Sequence, residues 1–398
     1  MTTLSGWGNV PARGRERLSE RIERASAGAV LSRGLGRSYG DSSLPPSSEP
    51  IVLGTRLADR VLDFDPETGA LRAEAGLSLL ELNRLMIPRR WFTPVTPGTQ
   101  FVTLGGMVAA DVHGKGHHRA GCFASQHVRA LRMRVADGRV LEVSRDQHPD
   151  LLLATFGGMG LTGHILEVEF TMRRVASPWI WSESRRVDDL DEFIARLKET
   201  SVEWPYQVGI VDGLARGEQL GRGILDYGRW ATAEEAGGRP VRFKRRVTVP
   251  FSMPAALRQR WSVGLFYSLL VRKHVPRHKR HGLRHFEDFF YPLDTFRRWN
   301  RLYGPRGFTQ YQCVLPNAAG VSAVRRLLEV MAREGGVPYL AIMKDCGPEG
   351  EGMLSFPMAG TSLALDFPIT DDTQRLVDRL NELVIREGGR IEPFNFTV

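Results

Sequence analysis

Three glycine-rich segments, in a set order within about 140 residues, restrict the fold of this 398-residue chain more than any other feature. The first, "SRGLGRSYGDSS" (32–43), follows the apolar run "GAVL". Its alternating glycines uncover backbone N–H groups, and Arg33 and Arg37 add positive charge, a nest suited to a pyrophosphate. It is not the GxGxxG turn of a Rossmann unit, because no helical pattern follows it. The second, "TPGTQFVTLGGMVAADVHGKGHH" (96–118), turns at Pro97-Gly98. From Gly105-Gly106 it runs into small residues (Val108, Ala109, Ala110) that let backbone approach a flat ligand. The third, "FGGMGLTGHILEVEF" (156–170), leads glycines into a strand. Each alone reads as loop punctuation; the ordered set does not.

Between these loops the first ~175 residues carry short β-rich runs such as "PIVLGTRL" and "GHILEVEFTMRRV". In "LRMRVADGRVLEV" the alternation around Asp137-Gly138 predicts a hairpin, and "LSLLELNRLMI" has helical spacing. The pattern predicts an α+β domain with strands in antiparallel meanders more than in βαβ units. A boundary is expected near Ser177-Pro178, dividing a first domain, 1–177, from a second, 178–389. In the second, "YQVGIVDGLA", "FTQYQCVLP", "YLAIMKDCG" and "SLALDFPIT" read as strands. Helices are expected at "VDDLDEFIARLKETS", "AGVSAVRRLLEVMAREGG" and "DDTQRLVDRLNELVIREGG". The last two end at Gly335-Gly336 and Gly388-Gly389, where capping glycines belong. The expected architecture is a sheet with helices on one face. Residues 230–285 show few regular signals and read as a mobile loop.

Charge is concentrated in that loop. Arg242 to Phe286 holds twelve Lys or Arg, four His and no acid, more than the whole chain's surplus of +9. A partner for anionic groups is therefore expected at one place. Phe251, Trp261, Phe266 and Tyr267 within it favour a lid or a peripheral membrane contact over 242–286, against a solvated charge cluster. No nucleic-acid-binding signature accompanies the charge. There is no apolar run long enough to span a bilayer and no secretory pattern at the N-terminus, so a cytoplasmic protein is expected. Cys122, Cys313 and Cys346 lack CxxC spacing and read as reduced, mostly buried thiols.

"DVHGKGHHRAG" (111–121) is open to two readings. His113, His117 and His118 could converge on zinc only from a helix, which Gly114 and Gly116 oppose, and no Cys or Glu completes the set. No metal is expected; the flanking glycine loop instead sets the stretch against a planar cofactor.

The order "RGLGRSYGD", "PGTQFVTLGGMVAADVHGKGHH", "GGMGLTGHILEV" resembles the FAD-binding domain of vanillyl-alcohol-oxidase-type flavoproteins (PCMH-type FAD-binding fold). More closely, it resembles their decaprenylphosphoryl-ribose oxidase family, through "FEDFFYPLD", "WNRLYGPRGFTQYQCVLP" and "LSFPMAGTSLALDFPI". The resemblance implies a two-domain fold with an antiparallel-sheet substrate domain. It implies FAD held by Ser32, Arg33, Gly34, Leu35, Gly36, Arg37, Ser38, Tyr39, Gly40, Asp41 and Ser42. Gly98, Thr103, Leu104, Gly105, Gly106, Ala110, Asp111, Val112, His113 and Ile165 would complete that pocket. Arg37 stands where related oxidases tether FAD through a histidine, so non-covalent FAD is expected.

It further implies oxidation of a sugar hydroxyl, with His113, Lys115, Gln310, Gln312, Lys344 and Tyr39 around the reacting atoms and His117 and His118 behind them or at the surface. The implied substrate is a lipid-linked sugar phosphate, with an alditol or aldonolactone as the alternative. A short-chain reductase would complete an epimerisation in arabinose-donor synthesis at the inner face of the membrane. Ala364 replaces the family's cysteine. After "GGR" the family's aromatic and its catalytic lysine give way to Glu392 and Asn395, and only 390–398 of the usual C-terminal flavin segment is present. That departure implies either a truncated or frameshifted chain or a natural variant with weakened flavin binding and activity, so the further alternative is a catalytically impaired flavoprotein that keeps the fold.

Overall fold

The computed structural model describes residues 3–46, 49–254, 257–272 and 280–392. Arg15–Leu18 (β1), Ser32–Arg33 (β2) and Ile51–Gly54 (β3) form a small parallel sheet in the order β1-β3-β2. The short helix Ile22–Ser26 makes the crossover that a parallel pair needs, so the expected meander does not start here. It starts with Val61–Phe64 (β4), Ala70–Glu74 (β5), Val128–Arg134 (β6), Val140–Ser144 (β7) and His164–Thr171 (β8), an antiparallel sheet ordered β7-β6-β8-β5-β4. Gly138, at φ 89°, closes the β6–β7 hairpin by donating its amide to the Val135 carbonyl at 3.0 Å. Helices Leu79–Met86 (α1) and Leu104–Ala109 (α2) pack beside this sheet, capped by the Ser78 and Thr103 hydroxyls. Leu71, Ala73, Leu82, Leu104, Met107 and Phe170 share its core with Ile180, Tyr206 and Phe286 from beyond residue 178.

A second sheet is built from Trp179–Val187 (β9), Tyr206–Val211 (β10), Gly223–Trp230 (β11), Arg280–His285 (β12), Phe308–Pro316 (β13), Leu340–Cys346 (β14), Gly360–Pro368 (β15) and Arg390–Ile391 (β16). It is antiparallel throughout, in the order β12-β9-β11-β10-β14-β15-β13-β16. The four longer helices of this half are Leu190–Glu203 (α3), Arg260–Arg272 (α4), Gly320–Arg333 (α5) and Thr373–Arg386 (α6). Asp189 caps α3 by accepting the Glu192 amide at 2.8 Å. Gly335 and Gly388, at φ 79° and 70°, sit just past the ends of α5 and α6 as their spacing predicts.

The period-2 alternation of the strands decides which face does what. Tyr311, Cys313, Ala341, Met343, Leu363 and Leu365 point to one side and form a core with Phe193, Leu197, Leu327 and Leu380 of α3, α5 and α6. The even-numbered neighbours point the other way and are left for the site. Residues 230–285 are more regular than their sequence implies: they hold α4 and end in β12, the edge strand. Basic residues there are anchored inward, with Arg246 on Glu287 (3.0 Å; side chains 4% and 3% exposed) and Lys244 on Asp288. Among the described residues of the segment, Arg242, Arg245 and Arg260 are exposed. All three cysteines are buried free thiols.

Candidate active site

The uncovered face of the large sheet and the three glycine loops enclose a cavity of about 1020 Å³. That is at or above the upper end of the ~300–1000 Å³ usual for small-ligand pockets, room for a cofactor and a substrate together. Gly34 through Tyr39, Ser42, Gly98, Gly105, Gly106, Ala110, Gly160 and Ile165 line one side. Gly36 needs its φ of 63°, and a Cβ there would run into the Arg33 guanidinium. The amides of residues 35–39 donate to no protein acceptor among the described residues. Such a run of N–H groups beside Arg37 fits the pyrophosphate of a dinucleotide. At Gly98 and Gly160 a Cβ would meet nothing within 4 Å, so open space remains for a flat ring. Arg37 stacks on Trp7 (3.9 Å) and donates from Nε to the Phe101 carbonyl (3.2 Å); burial pulls its pKa down to about 10.

The opposite wall is the even-numbered face: Val208 and Ile210 of β10, Gln310 and Gln312 of β13, Leu340, Ile342 and Lys344 of β14, Ala364 and Asp366 of β15. Gln312 Nε2 lies 2.8 Å from His113 Nε2, which joins this wall to the second glycine loop. His113 is desolvated and stands near Lys344 and His117, so its pKa falls well below the usual value and the ring is neutral. Gln310 Nε2 donates to Asp366 (2.7 Å) and to the Tyr39 hydroxyl (3.3 Å). Burial, reinforced by Lys344, lowers Lys115 to about 7 while its ammonium donates to the Phe290 carbonyl at 3.0 Å. Lys344 is also lowered, by burial. The wall thus presents amides, a neutral imidazole and two amines whose charged forms burial disfavours: groups that bind hydroxyls and hold protons.

The structure brings His113, Lys115, Gln310, Gln312, Lys344 and Tyr39 to one cavity. Five of the expected cofactor residues stand off it. Arg33 is spent on the Ser5 and Ser43 carbonyls, and Leu104 is wholly in the core. Gly40 packs its carbonyl against Gly6, and Asp41 is an exposed turn residue. The buried Asp111 accepts the Ala124 and Ser125 amides (2.8 and 3.0 Å) and the Ser125 and Ser355 hydroxyls. His117 is buried, not superficial: its Nδ1 accepts the Gly347 amide (3.0 Å), tying the second glycine loop to the segment after β14. His118, half-buried, bonds the Trp204 carbonyl (2.8 Å). Asn395 lies outside the described residues.

Sequence reasoning missed Asp226, Arg284, Asp294, Asp366 and the cavity role of Glu392. Asp366 was within reach, since it is two residues from Ala364 on the same strand face. Asp226 pairs with Arg284 (3.1 Å) across 58 residues, which no local pattern reveals. At the rim, exposed Phe296, Arg297, Arg298 and Phe266 give a cationic and apolar mouth.

Residues 15–144 match the family model of an FAD binding domain. Decaprenylphosphoryl-β-D-ribose oxidase of Mycolicibacterium smegmatis is 32% identical over 91% of this chain and 79% of its own length. An uncharacterised protein of Streptomyces coelicolor is 33% identical over 79% of this chain and 88% of its own. A putative D-arabinono-1,4-lactone oxidase of Neurospora crassa is 25% identical over 38% of this chain and 26% of its own.

Proposed function

The chain belongs to the FAD-dependent oxidase family of decaprenylphosphoryl-β-D-ribose oxidase, and from that premise we propose that it oxidises the 2′-hydroxyl of a polyprenyl-phosphoryl ribose to the 2-keto sugar. The observation that carries this reading is the make-up of the cavity: hydroxyl-binding groups inside, with exposed cations (Arg297, Arg298) and exposed aromatics (Phe266, Phe296) together at the mouth. A soluble lactone has no use for the outer two.

FAD supplies the two-electron acceptor. The amides of residues 35–39 hold its pyrophosphate, and the small residues from Gly105 to Ala110 accommodate its ring. Gln310, Gln312 and His113 orient the sugar hydroxyls, with Lys344 and Lys115 beside them. Arg284, Arg297 and Arg298 face the phosphodiester, and Phe266 and Phe296 the start of the prenyl tail. On this reading the flavin rides on 1–177 with 390–398, and the sugar on 178–389. The ketone then passes to a short-chain reductase that completes the epimerisation, and the protein works on the inner membrane face. No described helix is long and apolar enough to cross a bilayer.

Anaerobic FAD-loaded protein is expected to lose its flavin absorbance on mixing with decaprenylphosphoryl-β-D-ribose in detergent. Bleaching by D-arabinono-1,4-lactone alone would overturn the substrate class. Since the Arg37 guanidinium offers no nucleophile, acid precipitation should release all the FAD into the supernatant; flavin retained in the pellet contradicts non-covalent binding.

A further inference from the structure

Among the described residues, five carboxyl groups line the cavity. Four already hold protein donors. Asp226 takes Arg284 Nη1 (3.1 Å), and Asp288 takes Lys244. Asp294 takes the Thr99 hydroxyl (2.7 Å) and the Gln100 amide (2.8 Å). Asp366 takes Gln310 Nε2 (2.7 Å) and the Tyr303 hydroxyl (3.0 Å), one on each oxygen.

Glu392 is different. Its amide is fixed on the Gln312 carbonyl at 2.8 Å, one residue past β16, and the residue is only 6% exposed. Its carboxyl accepts no hydrogen bond from the described residues, although it opens on the same cavity. The groups around it are Lys344 and Cys346 of β14, Asp111 and Cys122 of the second glycine loop and its sequel, and the Gln312 backbone that holds its amide. A buried carboxylate left without donors is costly, and such groups are kept where the bare oxygen has a task. Burial, with Asp111 adding to it, raises the carboxyl to about 8 against the pull of Lys344, so its proton is exchangeable near neutrality.

We propose that Glu392 is the proton acceptor of the oxidation, taking the proton of the substrate hydroxyl while Lys344 stands beside the carboxylate. This rests on the oxidase reading above. The balance is complete: the C–H bond breaks and its electron pair leaves as hydride, taken up by FAD. The O–H bond breaks, its proton going to the Glu392 carboxylate, and C–O becomes C=O. Glu392 returns the proton to water as the ketone departs.

The test compares FAD-loaded wild type with Glu392→Gln and Glu392→Asp. Anaerobic bleaching of the flavin by decaprenylphosphoryl-β-D-ribose in micelles should accelerate in the wild type as pH rises through about 8. Glu392→Gln should be slower by about 100-fold or more and lose that ionisation, whereas Glu392→Asp keeps it at a reduced rate. Independently of turnover, infrared difference spectra should show a protonated-carboxyl band that titrates near pH 8 in the wild type and is missing from Glu392→Gln. Equal rates and equal pH profiles in wild type and Glu392→Gln, at equal FAD content, would overturn the proposal and leave the oxidase reading intact. A wild type that the substrate does not bleach, with the infrared band present, removes the oxidase reading and this role with it.

Discussion

At the scale of single residues, Lys115 shows how burial and function act on the same atom. Its ammonium donates to the Phe290 carbonyl, its one acceptor among the described residues, and its pKa is drawn down to about 7 by burial and then by Lys344. An exposed lysine titrates near 10.4. Between those values the unfolded chain binds a proton that the folded chain does not, so stability must rise with pH across that window. Below about 7 both states are protonated and the penalty is present in full. Lys115→Met should therefore reduce the rise: from neutral to alkaline pH the denaturant midpoint of wild type should gain on that of the variant, in which Lys344 is still lowered by burial. Parallel midpoint curves for the two proteins over that range would show that the Lys115 amine stays charged. His113 makes a separate claim. As the neutral partner of Gln312, its replacement in His113→Ala should slow anaerobic flavin bleaching by about 10- to 100-fold, short of the full general acid–base effect, because it orients rather than accepts. Wild-type bleaching rates in that variant would remove it from the site.

At the scale of elements, the large sheet divides its work by parity, and adjacent residues of one strand should answer differently to the same change. Met343 is fully buried against the helical face, so Met343→Ala should cost about 2–5 kcal/mol in urea denaturation. Its neighbour Ile342 faces the cavity. Ile342→Ala should cost less stability and instead change the apparent KM for the sugar lipid; equal destabilisation by both would mean the register is wrong. Part of this parity was legible in the sequence, since Gln310 and Gln312 stand two apart in "QYQ"; "AIMKDC" does not alternate, three apolar residues preceding Lys344. The helix ends were legible too, from Gly335 and Gly388. What was not legible depended on partners far along the chain. The strand 280–285 is hard to read because Arg280, His281, Arg284 and His285 look like a solvated run until Trp179–Val187 pairs with them. The Asp111 carboxylate looks like part of a cofactor loop until Ser125 and Ser355 claim it. Glu392 stood where the family pattern has an aromatic, and nothing local shows that its neighbours are Lys344 and Asp111.

At the scale of the whole molecule, the cavity mouth and α4 together define how a lipid-linked substrate could arrive. α4 carries two apolar stripes at four-residue spacing. Val263, Tyr267 and Val271 are buried, whereas Trp261, Leu265 and Leu269 are 60%, 52% and 57% exposed. The second stripe has no counterpart in the core, and Phe266 beside it reaches the cavity. Exposed Phe296, Arg297 and Arg298 line the same cavity as Phe266. An interfacial helix gains from apolar burial and from anionic headgroups, the latter by about 1 kcal/mol per cation. The protein should therefore sediment with vesicles containing phosphatidylserine, more weakly as salt rises and hardly at all with neutral vesicles at high salt. Changing Trp261, Leu265 and Leu269 together to serine should cut that binding by an order of magnitude or more, since each apolar side chain lost from the interface is worth about 1.5–3 kcal/mol. The same variant should retain FAD and its turnover of substrate in detergent micelles, because none of the three lines the cavity. Only delivery from a bilayer should fail. If the triple variant still binds vesicles like wild type, the exposed stripe serves some other contact, and the route of the prenyl tail has to be sought elsewhere on the rim.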